Sequence, residues 1–432
     1  VVDARIDRGT ALSVEELGVT TPERVPRATG SAKGRLIALA GPAFVAAIAY
    51  VDPGNVASNL TAGAKYGYLL VWVLVLANAM AVLVQYLSAK LGLVTGRSLP
   101  ELLGDRLRPA QRKAFWVQAE LAAVATDLAE VIGGAIALNL LFGVPLPLGG
   151  LITGVVSMAI LATQSRGQRT FEFVVISMLA IITLGFVSGL AFTDVSGGEA
   201  LAGLVPRFEG AETVLLAASM LGATVMPHAI YLHSALARDR HGREIEPGRL
   251  PRLLKATKID VVGALLVAGS VNIAMLLLAA SALRGIEGTD TIAGAHAAIS
   301  SALGPAVAVI FAIGLLASGL ASTSVGCAAG AEIMSGLLHF RIPMLLRRTL
   351  VLIPALVVLA MGADPTLSLV ISQVVLSFCI PFALVPLVRM TSERGLMGEH
   401  LNRRGTTVAA WAATAVIVAL NLALLVLTVT GA

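Results

Sequence analysis

Apolar runs of about 20 residues or more dominate the chain. Eleven of them read as membrane spans: 36–64, 68–93, 114–142, 148–164, 170–192, 212–237, 258–283, 305–336, 344–362, 366–388 and 407–429. In hydrocarbon every backbone N–H and C=O has to be bonded within its own segment, so runs of this length are predicted to be helices. The pattern gives an all-α integral membrane protein in which residues 36–432 form one transmembrane domain. Residues 1–35 mix charged residues with Pro, Gly and Thr and hold no apolar core of a signal peptide. They are predicted to be a flexible cytoplasmic tail. Polar residues interrupt two of the runs at proline: Ala49-Tyr50-Val51-Asp52-Pro53-Gly54-Asn55 in the first, and Ala223-Thr224-Val225-Met226-Pro227-His228-Ala229 in the sixth.

The charges test the count of spans. With the N-terminus in the cytoplasm, 27 Lys and Arg residues fall on the inner side. Only Lys65, Arg207 and Arg284 fall outside, and Lys90 lies near the inner end of the second span. A missed or invented helix would scramble this asymmetry, because every later loop would change sides. Eleven spans put the C-terminus outside, in a multi-pass protein of the cell (inner) membrane. The net charge of +5 is therefore a topological signal, and no basic stretch interleaved with stacking aromatics points to nucleic acid. Composition agrees: 57% hydrophobic residues, 13% charged and a mean hydropathy of +0.87 exceed what a soluble core could hide. Cys327 and Cys379 lie singly inside spans without CxxC spacing, and read as buried, inert thiols.

The two interruptions align without a gap at Ala, Val and Pro, and occupy matching places in two sets of five spans, 36–192 and 212–388. Five is odd, so the second set starts on the opposite side of the membrane from the first. Paired broken helices in inverted repeats point to an alternating-access transporter with its site near the midplane. Proline removes an amide donor and clashes with the carbonyl one turn back, so carbonyls near Ala49 and Ala223 lose their helical partners and can face a cation. The half-helix C-terminal ends also favour positive charge. Asp52 supplies a full negative charge, Asn55 can bring its amide oxygen to the same side, and Met226 faces them from the other break. Oxygen ligands alone would suit magnesium or calcium, whereas a thioether shifts preference toward softer first-row ions such as manganese or iron(II).

These residues carry a resemblance. DPGN of the first span with MPH of the sixth resembles the two signatures of the Nramp family, proton-coupled divalent metal transporters with the LeuT-type fold. The likeness runs from about Gly34 to the eleventh span. Magnesium-type or aluminium-type relatives lack the methionine, which is present here as Met226. The resemblance implies that Asp52, Asn55, Met226 and the carbonyls of Ala49 and Ala223 bind metal, joined in some conformations by Gln373. Read by itself, Gln373 is a polar residue in an apolar span and could equally bridge helices. The resemblance also implies an importer that functions as a monomer, with divalent metal and H+ as cargo and no prosthetic group.

Protons need a route of their own. Asp127 and Glu130 stand three apart on one face of the third span, and acids embedded in a membrane default to relays or ion pathways. The family comparison matches them to its proton pathway, together with Asp52, His228, and Arg347 and Arg348 as their partners. Both arginines also fit a plainer role as inside-facing anchors at a helix start. His228 also fits a satisfied interhelical hydrogen bond, but its place in the break favours function. Glu120, Asp260 and Asn272 fit either a vestibule or interhelical pairing, Asn78, Asn421 and Thr126 fit interhelical glue, and Gly326 with Gly330 fits close helix approach. Three rivals differ in kind. A sodium-coupled amino-acid or nucleobase carrier of the same fold needs a site for an organic substrate. A membrane enzyme lacks the H-E-x-x-H motif or a nucleophile and base pair here, and a channel would not saturate.

Overall fold

In the computed structural model, residues 42–162, 168–246, 248–340 and 342–430 are described. The expected tail over 1–35 and the first residues of the first span lie outside them. Among the described residues there is no strand. The chain runs through α1 (Pro42–Ile48), a 3-10 turn (Ala49–Val51), α2 (Pro53–Tyr66), α3 (Val71–Thr95), α4 (Leu99–Arg106), α5 (Pro109–Phe142), α6 (Leu146–Ala162), α7 (Gln168–Leu190) and α8 (Gly197–Ala202). It continues with α9 (Ala211–Thr224), α10 (Pro227–His241), α11 (Leu250–Ala282), α12 (Ile292–Leu303), α13 (Pro305–Leu338), α14 (Met344–Ala360), α15 (Pro365–Thr391), α16 (Arg394–Met397) and α17 (Arg404–Thr430).

Among the described residues each expected span overlaps a helical stretch, and the first and sixth are split where the prolines stand. Seven stretches are long and apolar enough to cross a membrane by length and composition. They are Val71–Thr95, Pro109–Phe142, Ala211–His241, Leu250–Ala282, Pro305–Leu338, Pro365–Thr391 and Arg404–Thr430. Leu146–Ile160 and Ile176–Leu190 are shorter apolar helices. The third span starts earlier than its hydropathy suggested, because Pro109 at the first helical turn lets the polar segment 109–113 join the helix.

Local chemistry sets the ends. Proline occupies the first turn of α2, α4, α5, α10, α11, α13 and α15, where its missing N–H costs nothing. Helix α4 begins with a capping box, Ser98 and Glu101 bonding each other's backbone N–H. Around the breaks, α11 packs on α2 and α3, α10 on α3, α9 on α15, and α13 on α5 and α7. Both broken stretches therefore lie inside the bundle rather than on its rim. Glycines permit the closest approaches: a Cβ on Gly222 would overlap the Gln373 carbonyl, and one on Gly133 would overlap the Pro53 ring.

Candidate cation site

Asp-Pro-Gly-Asn folds as the start of a helix. Asp52 is the N-cap of α2, in extended backbone (φ −82°, ψ 167°), and Pro53 opens the first turn. One oxygen of the Asp52 carboxylate, Oδ1, accepts from Asn55 N at 2.8 Å and from Asn55 Nδ2 at 2.7 Å. The other, Oδ2, accepts from Gln373 Nε2 of α15 at 3.2 Å. A Cβ on Gly54 would overlap the Gln373 amide, which would have to give way. At the second break, Asn55 Nδ2 donates to the Ala223 carbonyl at 2.9 Å, and Thr224 Oγ1 donates to Asn55 Oδ1 at 3.4 Å. Met226 caps α10 without a side-chain bond and is fully buried three residues beyond Ala223.

Asn55 thus ties the two breaks together, but it presents nitrogen, not the expected oxygen, to Asp52 and to the Ala223 carbonyl. Its oxygen is held by Thr224. A cation between Asp52 and the Ala223 carbonyl needs that amide turned over, which gives up its bonds to Asp52 and to the Ala223 carbonyl. Gln373 likewise donates to the carboxylate, while its Oε1 is buried without a partner. Ala49 lies in a 3-10 turn whose neighbouring carbonyls are engaged from other helices. Ser322 Oγ donates to Ile48 O at 3.4 Å, Asn272 Nδ2 to Tyr50 O at 2.7 Å, and Ser318 Oγ to Val51 O at 2.5 Å. Asp52, Asn55, Met226, Ala49, Ala223 and Gln373 are all buried.

No group of three or more His, Cys, Asp or Glu that could hold a metal occurs among the described residues. A cation here has to rely on one carboxylate plus neutral oxygen and sulfur.

The acids of α5 sit beside this site. Arg348 Nη1 donates to Asp127 Oδ1 at 2.7 Å, and its Nη2 donates to Ser157 Oγ at 3.1 Å. Arg347 does not join Asp127 or Glu130: its Nη2 donates to Glu120 Oε1 at 2.7 Å. Both arginines are buried, so neither is an anchor reaching for the membrane surface. Glu130 is buried next to the pair, and its Oε2 has no partner. A Cβ on Gly326 would come 3.4 Å from that oxygen and 3.7 Å from Asp127 Oδ1, while one on Gly330 would overlap the Arg347 guanidinium. The two glycines of α13 therefore make room for charged side chains rather than for another helix backbone. His228 Nδ1 lies 3.1 Å from Thr126 Oγ1 across α5 and α10, and its Nε2 has no partner.

Ion pairs close the assembly at both ends. Near the end of α2, Lys65 Nζ lies 2.7 Å from Glu212 Oε1 and 3.5 Å from Asp290 Oδ2, and the Tyr66 hydroxyl donates to Glu212 Oε2 at 2.7 Å. At the far end of α10, Arg238 Nη1 meets Glu101 Oε2 at 2.7 Å and Glu332 Oε1 at 3.1 Å. Sequence reading missed Thr224, Ser318, Ser322 and these end clusters, because single polar residues in apolar helices carry no sign of direction. The S-x-x-E of Ser98 to Glu101 was a legible signal for α4.

The family model described as natural resistance-associated macrophage protein-like (Nramp) matches residues 43–427. A divalent metal cation transporter MntH of Mycobacterium tuberculosis is 58% identical over 394 residues, covering 91% of this chain and 92% of that relative. One from Bacillus subtilis is 44% identical over 396 residues, covering 90% and 92%. Among solved structures, the Eremococcus coleocola manganese transporter in complex with an aromatic bis-isothiourea substituted compound aligns with a TM-score of 0.82 at 29% identity. It covers 92% of this chain and 88% of that one. Mhp1, a nucleobase-cation-symport-1 family transporter, aligns with a TM-score of 0.56 at 16% identity, covering 90% and 91%, which is a likeness of fold alone. The expected LeuT-type, all-α architecture is the one these chains share, and the apolar helices make this a multi-pass membrane protein. By the extent of the family match and of the identity to its relatives, the chain belongs to the Nramp family.

Proposed function

We propose that this protein imports divalent transition-metal ions, manganese or iron(II), by proton-coupled alternating access, and that Asp52, Asn55, Met226 and the carbonyls of Ala49 and Ala223 form the site, with Gln373 joining. The observation that carries this reading is the bridge from Asp52 through the Asn55 amide to the Ala223 carbonyl, with Met226 buried alongside. The named relatives are metal transporters, which supports the same reading.

The Asn55 and Gln373 amides hold the Asp52 carboxylate. An arriving cation replaces those N–H groups, and the amides turn their oxygens inward. Displacement of a proton from the site couples the two fluxes, because ligands bind metal in deprotonated form. Asp127 and Glu130, with Arg348 beside them and the Glu120–Arg347 pair next along α5, offer the proton a path off the site. The inverted halves 36–192 and 212–388 rock about the breaks. Import of a divalent ion at an inside-negative potential gains roughly 4.6 kcal/mol per 100 mV, twice the per-charge value. The working unit is the monomer, in the cell membrane, with the N-terminus inside and the C-terminus outside.

The test is manganese uptake into proteoliposomes under an inside-negative potential, with internal pH recorded in the same vesicles and sodium present or absent. Saturable uptake that acidifies the lumen and ignores sodium is expected. Sodium-dependent movement of an organic solute without manganese uptake would overturn the reading in favour of the rival carrier. Glu130→Gln should keep more of the metal flux than of the proton flux, and an equal loss of both would remove Glu130 from the proton path.

A further inference from the structure

Helix α5 presents two polar faces. Glu120 and Asp127 point at the arginines of α14. Gln118, Ala122, Ala125 and Thr126 recur at helical spacing on roughly the opposite side and meet α10 and α15. Thr126 bonds His228, Ala122 and Ala125 pack with Leu376 and Cys379, and the Cys379 thiol donates to the Gln118 carbonyl at 3.9 Å.

On this second face a row of polar atoms is buried without partners: His228 Nε2, the Tyr231 hydroxyl, and both Oε1 and Nε2 of Gln118. They step away from the cation site in one direction. Tyr231 is one turn along α10 from His228, and Cys379 is six residues along α15 from Gln373. Gln118 lies eight residues along α5 from Thr126, about 12 Å at the rise of an α-helix. Buried polar groups in native proteins are bonded to protein or to ordered water. The unpartnered imidazole nitrogen, hydroxyl and amide along this face are groups that bound water would satisfy.

We propose that α5, α10 and α15 enclose a file of bound water running from His228 past Tyr231 and Cys379 to Gln118, and that a divalent cation leaving the site regains its hydration along it. The water file stands on the buried polar atoms themselves, and its use by the cation rests on the carrier reading above. It leaves the Glu120 and Asp127 side of α5, where the arginines of α14 bind, and starts one turn from Glu130.

Tyr50 is an internal control. It is as buried as Tyr231, at 1% exposure each, but its hydroxyl accepts from Gln85 Nε2. Radiolytic hydroxyl-radical footprinting of the whole protein in lipid, read by mass spectrometry, labels buried side chains that touch bound water. Tyr231 is expected to be modified at least about fivefold faster than Tyr50, and Gln118→Leu should bring the Tyr231 rate down toward that of Tyr50. Equal rates for the two tyrosines in the wild-type protein would overturn the water file without recourse to any variant. Slower manganese release by Gln118→Leu is the second expected result. Unchanged release with a positive footprint would remove the cation's use of the file. A positive footprint in wild-type protein that moves no manganese would strike the carrier reading and leave the water file in place.

Discussion

The two helix breaks lie at matching positions but are held differently. At the first, side chains from α11 and α13 take the carbonyls of Ile48, Tyr50 and Val51, and Asp52 is fixed as the cap of α2. At the second, Met226 caps α10 with no side-chain bond, and the Ala223 carbonyl and Thr224 hydroxyl both turn to Asn55 of the first break. The first break is a braced, charged platform. The second is neutral and soft, and leans on the first. A cation site divided in this way draws its attraction from one half and its preference among ions from the other.

The largest effect should come from the charged half. Since removing even an outer-shell partner of a metal ligand typically costs 10- to 100-fold, Asp52→Ala should lower manganese uptake by about 100-fold or more. Uptake near the wild-type rate would show that the ion does not depend on the charge of the first break. Bracing comes next. Asn272→Ala strands the Tyr50 carbonyl and should lower stability by about 1–3 kcal/mol, read as a drop in thermal midpoint in detergent. An unchanged midpoint would show that the first break does not need α11.

The soft half should show itself in selectivity. Met226→Ala should raise calcium competition against manganese by about tenfold while costing less in manganese uptake. Equal competition before and after would make Met226 a packing residue. The smallest effect belongs to the link between the breaks. Thr224→Val frees the Asn55 amide to turn and should shift manganese affinity by about 1 kcal/mol or less, toward tighter binding, measured by titration. Weaker binding would mean that Thr224 holds the site open for the ion instead.

Much of this division is legible in the sequence alone. Asp, Pro, Gly and Asn inside an apolar run violate what a membrane helix tolerates, so the break at 52–55 announces itself, and MPH at 226–228 supplies its counterpart. For Asp127 the resemblance offers both arginines as partners, and Arg348 is the one that meets it. The partner of Arg347 is not legible. Glu120 and Asp127 both lie on the face of α5 that meets α14, and only the relative rotation and translation of the helices decides which acid meets which arginine. Ser318 is hidden for the same reason, since its value depends on a carbonyl freed at the break, and Asn272 is legible only as a vestibule or pairing residue. Asn55 is legible as a residue but not as an orientation, because an amide chooses between its oxygen and nitrogen according to neighbours the sequence does not place.

If one ion is held jointly by the charged break and the soft break, both halves should supply it with ligands. X-ray absorption at the manganese edge of the loaded protein, wild type beside Met226→Ala, reads those ligands. A shell of oxygen neighbours with one sulfur that disappears in the variant is the expected result. A shell of oxygen and nitrogen alone in the wild-type protein would contradict the division of the site between the two breaks.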